Sequence, residues 1–551
     1  VPDLVLGPVL RFTSETEACV WVETDAPGEV EVLGATAPTF TVHGHHYALV
    51  VIEGLEPGSR HEYQVRVDGE VRWPEAGSDL PPSVIRTVDP DRPLTIAFGS
   101  CRIAAPHEEP WTLTKDEDEE RGFEHDALRV LAREMSSGDR DNWPEVLFLI
   151  GDQVYVDLGS PETRAFLRSR RHERGDAPDD EVVDFIEYTR LYHEAWSDPL
   201  LRWLLSTISV AMVWDDHDMG DDWNISAAWI EEMGRHDWWH RRKVAGFAAY
   251  WIHQHLGNLS PGELGENDVW QDVRGGGDVT SVVEDFAKRA GEHADGVRWS
   301  YSRDFGRTRL VVMETRASRD FSGEQRLIID DETWAWIVDH ATGDVDHLLL
   351  ATSDPYLLAP AMHEVEAWSE RVCDGAWGRW MALRGEKLRR DVDFDHWGSF
   401  TESFGRLAEL LREVGSGRRG APPASIVVLS GDVHHAYAAA VDFGADAGVT
   451  SAVYQAVCSP LRNPLVARER WVVRFGASRV GHLVGRCLRR LAGGRPPPIT
   501  WELCDGPIFD NQVGTVRIDG RKLEIRLDKT VPGEHEERRL ERVMERAVTP
   551  T

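Results

Sequence analysis

The sequence predicts an α/β layered domain behind a small all-β domain. Three observations lead there. Residues 1 to about 90 hold short alternating or β-rich runs separated by turns. From about residue 93, continuous apolar runs take over, and each ends in small or charged residues. Helical stretches lie between those runs.

In the first region the runs are Ala18–Val22, Glu29–Leu33 and Glu62–Val67. Gly54–Gly58 is a turn, and Asp68-Gly69 is a tight-turn signal. Strands at this spacing predict a small sandwich with nothing chemically active in it. Val88–Pro93 reads as a linker. Beyond it, Leu94–Phe98 leads into Gly99-Ser100-Cys101, and Val146–Ile150 into Gly151-Asp152. Ile208–Trp214 leads into Asp215-Asp216-His217, Leu348–Ala351 into Thr352-Ser353-Asp354, and Ile426–Leu429 into Ser430-Gly431-Asp432. Unbroken apolar runs of this length suit strands buried on both faces. Polar residues just past such strands are where open α/β sheets hold ligands.

Phe123–Met135 and Glu332–His340 read as helices, and the charged stretch Gln153–Asp198 as a helical cover over the site. Arg468–Arg490 reads as a basic amphipathic helix packed on the domain, with a weak membrane-surface contact by 468–490 as the alternative. Val516–Ile518, Asp519-Gly520 and Leu523–Leu527 predict a hairpin, and Glu534–Arg546 a charged terminal helix.

With 551 residues the chain exceeds a single compact core. A formal net charge of -34 repels nucleic acid and gives no reason to expect one as partner. A phosphate-bearing substrate stays admissible, because bound metal ions reverse the local field. Six scattered cysteines without a CxxC pair read as free thiols. No apolar run is long enough to span a bilayer. Val1-Pro2-Asp3-Leu4 shows no basic start followed by an apolar stretch, so the expected location is cytoplasmic. The first residue is not Met, which leaves export open.

The strand-end clusters carry the chemistry. Asp152 and Tyr155, then Asp215–Asp218, then Asp432, His434 and His435 offer carboxylate, phenolate and imidazole ligands. That set suits iron, manganese, zinc or calcium. One carboxylate can bridge two ions roughly 3.5–4 Å apart, a spacing that clamps a phosphoryl group. The same residues have plainer readings. Cys101 could be a buried thiol and Tyr155 a core aromatic. Asp215 and Asp218 read as supporting or capping residues. His435, His363, His396 and His45-His46 read as structural, with His396 at the border of the site as the alternative. Trp214 and Trp223 are candidates to wall the cleft.

Five motifs in order resemble the PhoD-like alkaline phosphatases of the calcineurin-like metallophosphoesterase superfamily. They are Phe98-Gly99-Ser100-Cys101, Gly151-Asp152-Gln153-Val154-Tyr155, Trp214-Asp215-Asp216-His217-Asp218, Asp395-His396-Trp397 and Ser430-Gly431-Asp432-Val433-His434. The resemblance implies a four-layer fold, two packed sheets flanked by helices, with an immunoglobulin- or fibronectin-like sandwich at 1–90. The catalytic domain would span 93–465, and a helical and hairpin extension 466–551. It implies Cys101, Asp152, Tyr155, Asp216, Asp432 and His434 as metal ligands, with Asp152 bridging. His217 and Asp216 would be catalytic. Arg316 is a candidate phosphate contact. The expected cofactors are two or more metal ions, iron with calcium, or zinc or manganese. The expected reaction is attack of metal-activated water on small phosphomonoesters or phosphodiesters. The competing reading is a degenerate phosphoesterase that serves as a ligand-binding or scaffold protein. The second-metal ligand near Ser353 and Asp354 has no confident match.

Overall fold

A computed structural model describes residues 1–549 except 171, 173–174, 293–296, 324–325 and 534–537. The apolar runs form strands as expected. Leu94–Gly99, Val146–Ile150 and Ser209–Val213 lie side by side and parallel in a six-stranded sheet. Its other half is antiparallel: Gln512–Asp519, Lys522–Pro532 and Arg538–Ala547. A seven-stranded sheet holds Thr308–Val312, His347–Ala351, Ser425–Ser430 and Ala452–Val457 as parallel neighbours. Tyr301–Phe305, Ala436–Asp442 and Thr500–Ile508 complete it antiparallel.

Alternation along the second sheet shows what each face covers. Leu349, Ala351, Val427 and Leu429 join one apolar core with Ala97, Phe98 and Phe148 of the first sheet. The intervening Leu348, Leu350, Ile426 and Val428 pack with Phe404, Leu407 and Leu411 of helix Thr401–Gly415. The sheets therefore face each other, with helices outside. Crossover connections between parallel strands supply those helices.

The N-terminal region is all-β. Leu4–Thr13, Ala18–Thr24, His45–Ile52 and Phe40–Val42 form one sheet, joined by Gly277–Asp278 from later in the chain. Ala35–Pro38, Glu29–Val32, Val65–Val67 and Glu70–Trp73 form another. The turn at Asp68-Gly69 joins Val67 to Glu70, with both turn residues at positive φ. This region is keyed to the rest through buried polar contacts. Arg11 donates from Nη1 to His253 O at 3.2 Å and from Nη2 to Asn258 Oδ1 at 3.1 Å. Tyr63 donates to Ser206 O at 2.6 Å.

Three local expectations change. The helix foreseen from Phe123 starts at Ala127, because Asp126 caps the amides of Leu128 and Arg129. The charged terminal helix is a strand, Arg538–Ala547; Glu534–Glu537 lie outside the described residues. Its charges pair across the sheet, as in Arg542 to Asp528 at 2.7 Å, and a charged edge strand resists further pairing. The basic segment 468–490 is two helices, Ala467–Gly476 and Arg479–Leu491. The break falls where Ser478 caps the amide of Gly481 at 3.0 Å.

Candidate metal centre

Parallel strands deliver their C-terminal ends to one edge, and both sheets do so here. The first sheet brings Cys101, Asp152 and Asp216; the second brings Arg316, Asp354 and Asp432. Backbone contacts sew the two edges together. Asp432 N donates to Ser100 Oγ at 3.0 Å, Leu461 N to Ser100 O at 2.7 Å, and Arg462 N to Cys101 O at 3.1 Å. A Cβ on Gly431 would meet Ser100 Oγ at 2.1 Å, so only glycine lets the edges approach this closely.

Cys101, Asp152, Asp432 and His434 all have φ between +52° and +64°. Non-glycine residues in this region cost about 1–3 kcal/mol each, and such strain collects at functional sites. The turns aim four side chains inward immediately after a strand, where an extended backbone would alternate them away.

Asp152 is 1% exposed. Its Oδ2 accepts from the Tyr155 hydroxyl at 3.2 Å, and its Oδ1 is buried without a hydrogen-bond partner. Burial first, and then nearby acids, push its carboxyl well above the usual range. Asp216 Oδ1 is likewise buried without a hydrogen-bond partner. Ligand atoms of Asp152, Asp216 and His217 lie within 4.8 Å of one another. Tyr155 lies against His217 with ring centroids 4.6 Å apart and the rings tilted by 33°. The Cys101 thiol lies 3.2 Å from Asp432 O; burial, then Asp152 and Asp432, push it up.

His217 donates from Nδ1 to Asp157 at 2.9 Å, which leaves Nε2 for the site. Burial disfavours its charge, but Asp157 and Asp216 outweigh that and raise its pKa. His434 donates from Nδ1 to Asn463 O at 2.7 Å, which fixes the tautomer and leaves Nε2 as a lone-pair donor. His396 donates from both nitrogens, to Glu366 at 2.7 Å and Asp432 Oδ2 at 2.8 Å. Burial opposes its charge, but the two carboxylates hold the ring protonated.

Arg316 occupies a different setting. It is 1% exposed, and its three nitrogens pair with Asp215 at 2.5 Å, Asp354 at 2.9 Å and Asp395. Asp216 and Asp432 lie farther off, at 3.6 and 3.8 Å. Arg319 adds Asp354 and Asp395, each at 3.2 Å. The expectation of a direct phosphate contact does not fit this geometry, because the guanidinium is spent on protein carboxylates. Asp354, the uncertain residue after the fourth strand, is pinned by Arg316, Arg319 and Thr315. Its oxygens lie near those of Asp215 and Asp432, yet the arginines already answer its charge.

The structure thus brings Cys101, Asp152, Tyr155, Asp216, His217, Asp432 and His434 to one edge. Asp157, Glu366, Asn463 and the protonated role of His396 escaped the sequence reading. His396 was visible in the Asp395-His396-Trp397 motif, and Asp157 stands two residues after Tyr155. Nothing local marks Glu366 or Asn463. The donor set fits metal ions: buried carboxylate oxygens lack partners, and thiol, phenol and imidazole join them.

A family model described as PhoD-like phosphatase matches residues 127–471, and one described as a domain of unknown function (DUF7800) matches residues 1–85. No curated protein matches the chain. Among solved structures, the chain is similar to one titled "Structure of PhoD", with TM-score 0.58 and 13% identity, over 100% of this chain and 92% of that chain. It also aligns with a purple acid phosphatase from yellow lupin (Lupinus luteus) seeds, with TM-score 0.49 and 10% identity, over 100% of this chain and 74% of that one. The first likeness shows the fold. The family match spans more than half of the sequence, and the chain therefore belongs to the PhoD-like phosphatase family.

Proposed function

We propose that this phosphatase hydrolyses small phosphomonoesters or phosphodiesters with two or more metal ions held by Cys101, Asp152, Tyr155, Asp216, Asp432 and His434. The observation that carries the reading is the buried Asp152 Oδ1, which has no hydrogen-bond partner, beside Asp216 Oδ1, whose one described ion-pair partner is Arg316 at 3.6 Å. Buried carboxylates crowded together cannot all stay charged without cations among them. Metal ions bound there would activate water and offset phosphate charge.

The chain's own residues set the geometry. Asp152 lies within reach of both Tyr155 and the Asp216–His217 pair, which suits a bridging carboxylate. Asp157 orients His217 so that Nε2 faces the substrate, where it donates a hydrogen bond to a phosphoryl oxygen or a proton to the leaving alkoxide. His396 and Glu366 hold Asp432 in place. Arg316 positions Asp215, Asp354 and Asp395 beneath the site rather than touching substrate. The thiol and phenol beside carboxylates favour iron, the resemblance to PhoD-like phosphatases adds calcium, and zinc or manganese could use the same donors.

Elemental analysis of the purified protein, with p-nitrophenyl phosphate and bis(p-nitrophenyl) phosphate assays across pH, tests this. The expected result is bound metal and hydrolysis of at least one substrate, both lost on chelation. A protein with neither metal nor hydrolysis would be a scaffold.

A further inference from the structure

The two helices at 467–491 follow the loop that holds His434 through Asn463. The second packs on helix Pro360–Cys373 through its small residues. A Cβ on Gly485 would meet Ala361 O at 2.9 Å. Arg489, 3% exposed, pairs with Glu364 on that helix.

The opposite face is apolar and bare. Trp471 is 69% exposed, Phe475 53%, Val480 65%, Leu483 63% and Leu491 71%. Trp471 and Phe475 stand four apart, and Val480, Leu483, the exposed Cys487 and Leu491 recur at three or four positions, so each helix carries a stripe. An apolar face of this extent marks a surface that another phase or molecule covers.

Charge identifies the covering. Residues 466–495 contain eight arginines and one glutamate, in a chain of net charge -34. Arg468 and Arg470 pair with Glu119 and Asp116 in the loop before helix Ala127–Ser137. Arg474, Arg479, Arg486, Arg490 and Arg495 are exposed and flank the stripe. Two copies meeting through this face would press like charges together. An anionic bilayer answers both features: the apolar stripe enters the acyl boundary, and arginines reach the headgroups. The acidic remainder is repelled by the same surface, which favours docking through this basic face.

We propose that helices 467–491 form a docking face for a bilayer surface bearing anionic lipid. The face borders the site: Arg474 lies over the Phe509 ring at 5.0 Å, and that ring is 6.1 Å from His435. Docking would seat the centre beside the headgroup plane. The inference stands on the two helices alone and is independent of the hydrolytic reading.

The test is co-sedimentation of the full chain with vesicles of phosphatidylcholine, with and without phosphatidylglycerol. Binding is expected only to the anionic vesicles, with release at high salt. The double variant F475S/L483S should lower partitioning by at least about tenfold. R486E/R490E should weaken binding and flatten its salt dependence. Both pairs are exposed, so far-ultraviolet circular dichroism should match the parent. Absence of binding to both vesicle types would overturn the proposal. So would binding that the apolar substitutions leave intact, or a dimer in sedimentation that they abolish.

Discussion

Asp215 and Asp216 are neighbours in sequence, yet they join two different sets of carboxylates. Asp215, with Asp354 and Asp395, is tied to the guanidinium groups of Arg316 and Arg319. Asp152 has no ion pair among the described residues and keeps Oδ1 buried without a hydrogen-bond partner, and Asp216 has only Arg316 at 3.6 Å. Both sets are deeply buried, so burial alone does not mark a functional acid. What separates them is whether the protein supplies the positive charge. Where it does, the set is a strut. Where it does not, the charge must come from a ligand, and the set is a binding site.

Asp152→Asn gives the sharpest contrast. It should cut turnover about a thousandfold, since metal-based charge stabilisation is worth several kcal/mol. Metal content should fall with it, while circular dichroism stays unchanged. A metal-replete, active Asp152→Asn enzyme would falsify the assignment of the bridging ligand. Arg316→Met should act on the other set. Leaving buried acids without their cation costs about 3–5 kcal/mol, read as a lowered denaturant midpoint. If stability holds and only KM rises, Arg316 contacts substrate after all and the two sets are not distinct. His396→Ala touches the frame of Asp432 rather than the reacting atoms. It should weaken metal affinity about 10–100-fold, with much of the activity returning at saturating metal. An affinity equal to the parent's would show that Asp432 needs no such support.

Acid is expected to have the smallest effect on Asp395 of the arginine-held set. Burial works against the charge of Asp395, but Arg316 and Arg319 outweigh it and hold its pKa below the usual range. Its stabilisation is therefore present above the unfolded value near 3.8 and is lost only below that. Between pH 7 and 5 Asp395 should stay charged, whereas burial raises Asp354 to about 6 despite Arg316 and Arg319, so its protonation there relieves a buried charge rather than costing stability. Stability lost there comes from buried neutral histidines such as His253, which burial pushes down to about 3. Unfolded, it takes up a proton below about pH 6.5, so each further pH unit costs up to about 1.4 kcal/mol. Chemical denaturation at pH 7 and 5 should show a shallower loss in His253→Gln than in the parent. Equal slopes would place the acid-sensitive groups elsewhere.

Much of this was legible in the sequence, for a local reason. Apolar runs that end in Gly-Asp, Asp-Asp-His or Gly-Asp-Val-His reveal both the strand and what its end presents. The strand ends of Cys101, Asp152, Asp216 and Asp432 could be read that way. Arg316 could not. Its partners lie 101, 38 and 79 residues away, and only folding brings them to it. The same holds for Glu366 behind His396 and for Asn463 behind His434. Composition also misled at the C-terminus. Alternating charges from Arg538 to Ala547 suit a solvated helix as well as a charged edge strand, and the sheet beside them decides. The segment 468–490 was read correctly as amphipathic and basic, but its packing face is the glycine face rather than the apolar one.

The strand Leu94–Gly99 carries Cys101 and is bordered on one side by Val146–Ile150 and on the other by Gln512–Asp519. During synthesis it waits for that second neighbour while roughly 400 further residues are made, on the order of tens of seconds at about 5–20 residues per second. Until then an apolar edge stands open beside the thiol. A ribosome stalled before residue 512 would therefore hold a centre whose proposed ligands are all translated but whose supporting sheet is unfinished, a state suited to chaperone capture and to premature oxidation of Cys101.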